Sequence, residues 1–190
     1  MGLVFKDKKV RIVSLLAAVN QFLNFGIIFG FFPLLAHQMG ATDLVKSYIL
    51  SVNILCLIAG NILVTSIGKR ENSLRLLGIS YFLFGLGITL TPFAGGVPLL
   101  FLFQAMLGLA HGISYPVLIG ACIEDVPENG RASAMGFHQS VYAVGMFFGP
   151  WACGALADRF GLDATFVMVG VSVLLAGSFS LFLLKQARMK

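Results

Sequence analysis

Charge is what this sequence has least of: 13 Lys and Arg and 8 Asp and Glu among 190 residues, 11% in all, against 58% hydrophobic residues. About a quarter of a soluble domain is charged, so a water-soluble globule is excluded by composition, and a mean hydropathy of +0.92 agrees. Cysteine is also sparse. Cys56, Cys122 and Cys153 are odd in number, fall in separate apolar runs and lack C-x-x-C spacing. Neither a disulfide framework nor a zinc site is expected from them, and they read as small packing residues. Catalytic signatures are missing as well. There is no P-loop and no H-E-x-x-H. Gly112-Ile113-Ser114-Tyr115-Pro116 lacks the second glycine of a nucleophile elbow, and Ser114 and His138 are expected at different depths, too far apart for a dyad. The chain is not expected to be an enzyme, and no cofactor or metal is expected.

What is abundant is uninterrupted apolar sequence. Six runs of about 20 residues lack acids and bases, each long enough at 1.5 Å per residue to cross a hydrocarbon core of about 30 Å. The spans are placed at Ile12 to Ala36, Lys46 to Ile67, Ser73 to Phe93, Pro98 to Cys122, Ala132 to Leu156 and Ala164 to Leu184. The fold class is all-α, a polytopic membrane protein of six transmembrane helices. Its parts are a basic lead-in over 1–11, a bundle over 12–185 and a tail over 186–190. Roughly 60 residues are left for loops and tails, too few for a soluble catalytic or nucleic-acid-binding domain. The first apolar run is too long for a cleavable signal peptide and has no small-residue cleavage site after it.

Loops rich in Lys and Arg stay cytoplasmic. All but two of the 13 basic residues, Lys46 and Arg159, fall on one side of the six spans, so both termini are expected in the cytoplasm and the chain in an inner-type membrane. The net charge of +5 is then a consequence of topology, with some attraction to anionic membrane lipids, and nucleic acid is not an expected partner.

Amides and histidines are expensive in hydrocarbon and mark the helices that face protein or a water-filled cavity. Helix one carries Asn20, Gln21 and Asn24, helix two Asn53 and Asn61, helix four Gln104 and His111, and helix five His138, Gln139 and Tyr142. Helices three and six have only hydroxyls, which bond back to their own helix. The expectation is an inner set of one, two, four and five, with three and six outside. The order polar, polar, apolar repeats after three helices, as an inverted three-plus-three duplication would give. Glycine pairs four apart, Gly26 and Gly30, Gly108 and Gly112, Gly145 and Gly149, each put two small residues on one helix face. Pro150 is expected to bend helix five as a hinge.

Gly136, Gly145, Gly149, Pro150 and Gly154 keep the spacing G-x8-G-x3-G-P-x2-G-G, with Cys153 at one glycine, and Gly154 to Gly161 reads GALADRFG. This stretch resembles the fifth helix, and the loop after it, of major facilitator superfamily antiporters. A weaker match runs from Asn61 to Arg70, where Leu63, Gly68, Lys69 and Arg70 agree with G-x-L-A-D-R-x-G-R-K while Thr65 and Ser66 replace its Asp and Arg. Helix four has Gln104 before Gly108 but no intramembrane Arg. The resemblance implies one six-helix half of a transporter, more like the carboxy-terminal half, that needs a second half, either another copy or a separate chain. It implies alternating access for a small apolar or amphipathic solute, as in drug efflux by antiport. Substrate-binding candidates are Asn20, Asn24, Asn53, Gln104, His111, Gln139 and Tyr142. Glu124 and Arg131 are implied as a gate. The rival reading is a non-transporting six-helix fragment or assembly subunit whose polar residues only join helices.

Overall fold

The computed structural model describes the backbone of residues 7–67 and 72–188, with side chains through 66 and from 72 to 178. Gly68, Lys69 and Arg70 lie outside the described residues. Six helical rods follow one another: α1 (Lys8–Gln38), α2 (Asp43–Ile67), α3 (Ser73–Leu90), α4 (Val97–Ile123), α5 (Glu128–Phe160) and α6 (Leu162–Arg188). No strand occurs among the described residues. The first five rods, by length and apolarity, are able to cross a membrane, and α6 has 27 residues with an apolar stretch over Leu162–Ser178.

Rod ends follow from local chemistry. The Asp7 carboxylate accepts from the Lys9 and Val10 amides at 2.7 and 3.2 Å, so α1 starts at Lys8, earlier than the apolar run implies. The fifth loop shrinks to a single residue. Helix α5 runs through Asp158 and Arg159 to Phe160, and Gly161 at φ 85° takes the left-handed conformation that a side chain disfavours, its amide bonding to the Ala157 carbonyl at 2.9 Å. The chain stays helical through Pro116 and Pro150. Irregularity instead falls in α1, where Leu23–Phe31 forms wider π turns between two α-helical pieces. Gly30 belongs to this segment, and a Cβ there would strike the Phe25 carbonyl oxygen of its own rod.

The rods associate as three pairs, α1 with α5, α2 with α4, and α3 with α6. Exchanging the first triplet of helices for the second leaves this pairing unchanged, which is the internal symmetry of an inverted three-plus-three repeat. In both parallel pairs the contact is backbone on backbone. A Cβ on Gly145 or Gly149 would meet the carbonyls of Ala18 and Phe22, and one on Gly26 would meet Gly149. A Cβ on Gly108 or Gly112 would meet the carbonyls of Asn53 and Leu57, and one on Gly60 would meet Gly112. In the antiparallel pair, Gly85 and Gly170 approach one another and Gly177 lies against Tyr81. The Tyr81 hydroxyl donates to the Leu16 carbonyl at 2.8 Å and fixes α3 to α1.

Within this six-helix body the rods are buried unequally. Only 17% of the apolar stretch of α2 and of α5 is buried, against 50% in α3, 56% in α4 and 61% in α1. Helix α5 touches the body along one line, Ala134, His138, Gly145, Gly149 and Cys153. Helix α3 is interior because its Leu76, Leu77, Tyr81, Phe84 and Ile88 fill the space between α1, α4 and α6. A polar side chain marks the face of a helix that avoids lipid, and one such line is enough for a helix at the edge of the body.

Gly145→Val should therefore lower the melting temperature of the purified protein, because the added atoms fall on the Ala18 carbonyl, and overpacking of this kind costs about 1–3 kcal/mol. Gly136→Ala, with open space around its Cβ, should melt with the wild type or slightly above it. Equal melting of the two variants would remove the close approach from the account of stability.

Candidate functional site

Most of the polar candidates are buried on α1, α2 and α4, and the structure divides them into two kinds. The first kind is satisfied. Asn53 Nδ2 donates to the Gln104 side-chain oxygen at 2.7 Å and to its backbone carbonyl at 3.0 Å, with both residues 1% exposed. This pair ties α2 to α4 beside the Gly108 contact, both hydrogens of the Asn53 amide being donated to Gln104.

The second kind keeps buried acceptors open. Asn20 is fully buried, and its Nδ2 donates to Ser114 Oγ at 2.9 Å, while its Oδ1 has no partner. Gln21 Oε1 and Asn24 Oδ1 are likewise buried without partners. His111 stacks on Tyr115 with centroids 5.6 Å apart and meets the edge of Phe84 at 6.4 Å, leaving Nδ1 unpartnered. An unpaired polar atom in an apolar interior costs about 1–3 kcal/mol, so these four, three on one stretch of α1 and one on α4, need a physical reason.

A chain of rings leads away from His111. Tyr115 lies near Tyr142 of α5, and Tyr142 meets the His138 ring edge-on with centroids 5.9 Å apart. The Ser14 hydroxyl gives its one proton to the Val10 carbonyl at 2.7 Å, so the 3.2 Å contact with His138 Nδ1 has the imidazole N–H donating. That tautomer leaves His138 Nε2 as an acceptor, buried and without a partner. Ser114 and His138 are each engaged elsewhere, the one with Asn20 and the Ala110 carbonyl, the other with Ser14. Gln139 is exposed, and Tyr142 is half-buried.

Sequence reasoning passed over Ser14, Ser114 and Tyr115 as interhelical partners. Ser14 and Ser114 each bond back to their own helix, yet the Ser114 oxygen still accepts from Asn20 and Ser14 lies 3.2 Å from His138, contacts that a serine in the sequence does not signal. Gln21 was visible as a polar residue but was not ranked beside Asn20 and Asn24.

At the end that carries the amino terminus, Lys9 Nζ bridges Glu124 at 2.7 Å and Asp125 at 2.6 Å, joining α1 to the loop after α4. Arg131 Nε donates to the Val126 carbonyl at 3.4 Å and closes that loop onto itself. Glu124 and Arg131 both line a cavity of about 370 Å³ with Pro116 and Ser73. An apolar groove of about 610 Å³ lies between α1, α5 and α6, bordered by Phe22, Gly145, Phe148 and Met168. None of the polar substrate candidates lines it.

Asn53→Leu should destabilise the protein by leaving Gln104 unpaired, and Asn53→Leu with Gln104→Leu should recover part of the loss. The coupling read from the four melting curves should be about 0.6 kcal/mol and at most about 1.7. Strict additivity would mean that the pair contributes nothing.

No curated protein sequence matches the chain closely enough to serve as a relative. The family model for the Major Facilitator Superfamily matches residues 14–190, from the second turn of α1 through the last helix. With that match across six apolar helices in an inverted three-plus-three arrangement, the chain belongs to the major facilitator superfamily of membrane transporters.

Proposed function

We propose that this protein moves a small apolar or amphipathic solute across an inner-type membrane by alternating access, in the manner of drug efflux by antiport. The single observation that carries a ligand-binding role is the set of buried polar atoms without a partner on α1 and α4, at Asn20, Asn24 and His111. Asn53 and Gln104, by contrast, bond to one another and join α2 to α4. The rival reading, a non-transporting six-helix subunit, accounts for the satisfied pair and leaves the open set without a purpose. Gln139 and Tyr142, on the accessible side of α5, would give the solute a hydrogen bond and an aromatic wall.

In this proposal six helices form one wall of a cavity and a second six-helix half forms the other. The sparsely buried faces of α2 and α5 carry Tyr48, Ile58, Phe147 and Trp151 outward, an apolar surface suited to a second half or to lipid. The departures at Thr65 and Ser66 favour the carboxy-terminal type of half, and a parallel homodimer would restore the twofold relation between halves. The excess of basic residues puts both termini in the cytoplasm, so Lys9, Glu124, Asp125 and Arg131 would stand at the cytoplasmic end, where ion pairs must break for the cavity to open. Gly145, Gly149 and Pro150 would let α5 flex against α1, with Gly154 facing the ring of Phe31 at the far end of the same line.

Three measurements bear on this. Purified chain in mild detergent should have a detergent-corrected mass near twice 20.4 kDa, and a stable monomer would require a separate partner chain. Vesicles containing it should export a lipophilic fluorescent dye down an imposed ion gradient, and Asn24→Leu should slow the export about tenfold if one hydrogen bond to the ligand is lost. His111 is the one histidine of α4, so His111→Ala should flatten the pH dependence of that export. An unchanged profile would take His111 out of coupling.

A further inference from the structure

The apolar groove between α1, α5 and α6 takes no part in the transport reading, yet it continues into a charged feature at one end of α1. Leu15, Val19 and Phe22 border it on α1, with Phe148 of α5 and Met168 and Val169 of α6 across from them. Its one polar side chain, Ser172, donates to the Met168 carbonyl at 2.7 Å, so the groove offers a polar solute no proton donor. On α1 the same stripe runs on towards the amino terminus. Arg11 stands one turn before Leu15 and Lys8 one turn before Arg11, and all three are exposed. The basic residues of this end are thus divided between two uses. Lys9 turns to the protein and bridges Glu124 and Asp125, and the Asp7 carboxylate is occupied by the Lys9 and Val10 amides. Lys8 and Arg11 have no ion-pair partner among the described residues. From Arg11 to Phe22 the helix advances about 16 Å at 1.5 Å per residue, the depth of one leaflet of a hydrocarbon core about 30 Å thick.

We propose that this stripe and groove form a binding site for an anionic phospholipid, with one acyl chain lying in the groove and the phosphate held by Lys8 and Arg11. Long basic side chains at a span end lay their stems on apolar surface and carry their charge to the headgroup level, which lets the chain pass Leu15 below the phosphate. Arg also pairs with phosphate through two parallel N–H bonds. Two cations without an acid beside them favour a headgroup of net negative charge over a zwitterion, whose own ammonium would stand next to them. A helix of another chain is a poorer occupant. It is about 10–12 Å across, and α5 and α6, joined through Gly161 alone, cannot part at that end to admit it, whereas a single hydrocarbon chain needs no such gap. The site does not depend on transport and would stand equally in a non-transporting six-helix subunit.

The test is native mass spectrometry of the purified chain in mild detergent, titrated with phosphatidylglycerol or with phosphatidylcholine of the same acyl chains. One phosphatidylglycerol per chain should be retained in preference to phosphatidylcholine, and glycerol phosphate, the headgroup without chains, should not displace it. Arg11→Gln should weaken that retention about tenfold, the loss of one charge-assisted contact, while Arg159→Gln, the same charge change at the far end of α5, should leave it unchanged. Ser172→Phe, which puts a ring into the groove from an exposed position, should lower retention of the lipid with both cations still in place. If Ser172→Phe fails to fold, judged by its elution volume, Ala176→Phe on the same wall replaces it, and the comparison of Arg11→Gln with Arg159→Gln decides in either case. Equal retention of the two lipids by the wild type overturns the proposal. Equal losses in Arg11→Gln and Arg159→Gln also overturn it, since they would reduce the effect to general attraction between a basic protein and an anionic lipid. Unchanged retention with the groove filled would leave a headgroup contact without a chain site and overturns it too.

Discussion

Everything in this fold depends on how closely two helix backbones can approach when no hydrophobic force draws them together. Lipid tails are as apolar as leucine, so helices in a bilayer associate through packing and interhelical bonds. Here the approach is bought with glycine. Gly145 and Gly149 admit α1, and Gly108 and Gly112 admit α2, to a distance that a single methyl group would close. Two parallel seams of the same design, one in each triplet pair, hold the edge helices α5 and α2 to the central α1 and α4. The antiparallel seam of α3 with α6 closes the third side.

These seams also govern the polar chemistry. The Gly108 contact brings the backbone of Asn53 against α4, and the Asn53 amide then meets Gln104. That bond is a by-product of close packing. At the crossing of α1 with α4 the polar side chains are more numerous than their partners. Asn20 finds Ser114, but its oxygen, those of Gln21 and Asn24, and one nitrogen of His111 stay open.

The ends of the rods are held differently. Lys9 draws Glu124 and Asp125 to α1, part-buried and short, across the end where the loop after α4 turns. Ion pairs at this depth remain within reach of water, so they are modest in strength and reversible, which suits a contact that opens and closes. The interior seams, by contrast, have no alternative partner short of unfolding.

Much of this was readable in one dimension. Six charge-free runs determined six helices, the glycine spacings in helices four and five determined which faces would approach a neighbour, and the polar, polar, apolar order announced the repeat. Those features depend on a residue and its near neighbours, and 3.6 residues per turn converts spacing to a face without further information. Gly136 to Gly154 identified the family for the same reason, since a motif is local. Which helix is central, which amide has a partner and where α1 widens into π turns were decided only by the tertiary structure. Asn53 and Asn24 look alike in the sequence. One is quenched by Gln104 and the other is not, because a hydrogen bond needs a second atom at about 3 Å, and that atom belongs to a different helix whose distance and rotation the spacing within α1 or α2 does not encode.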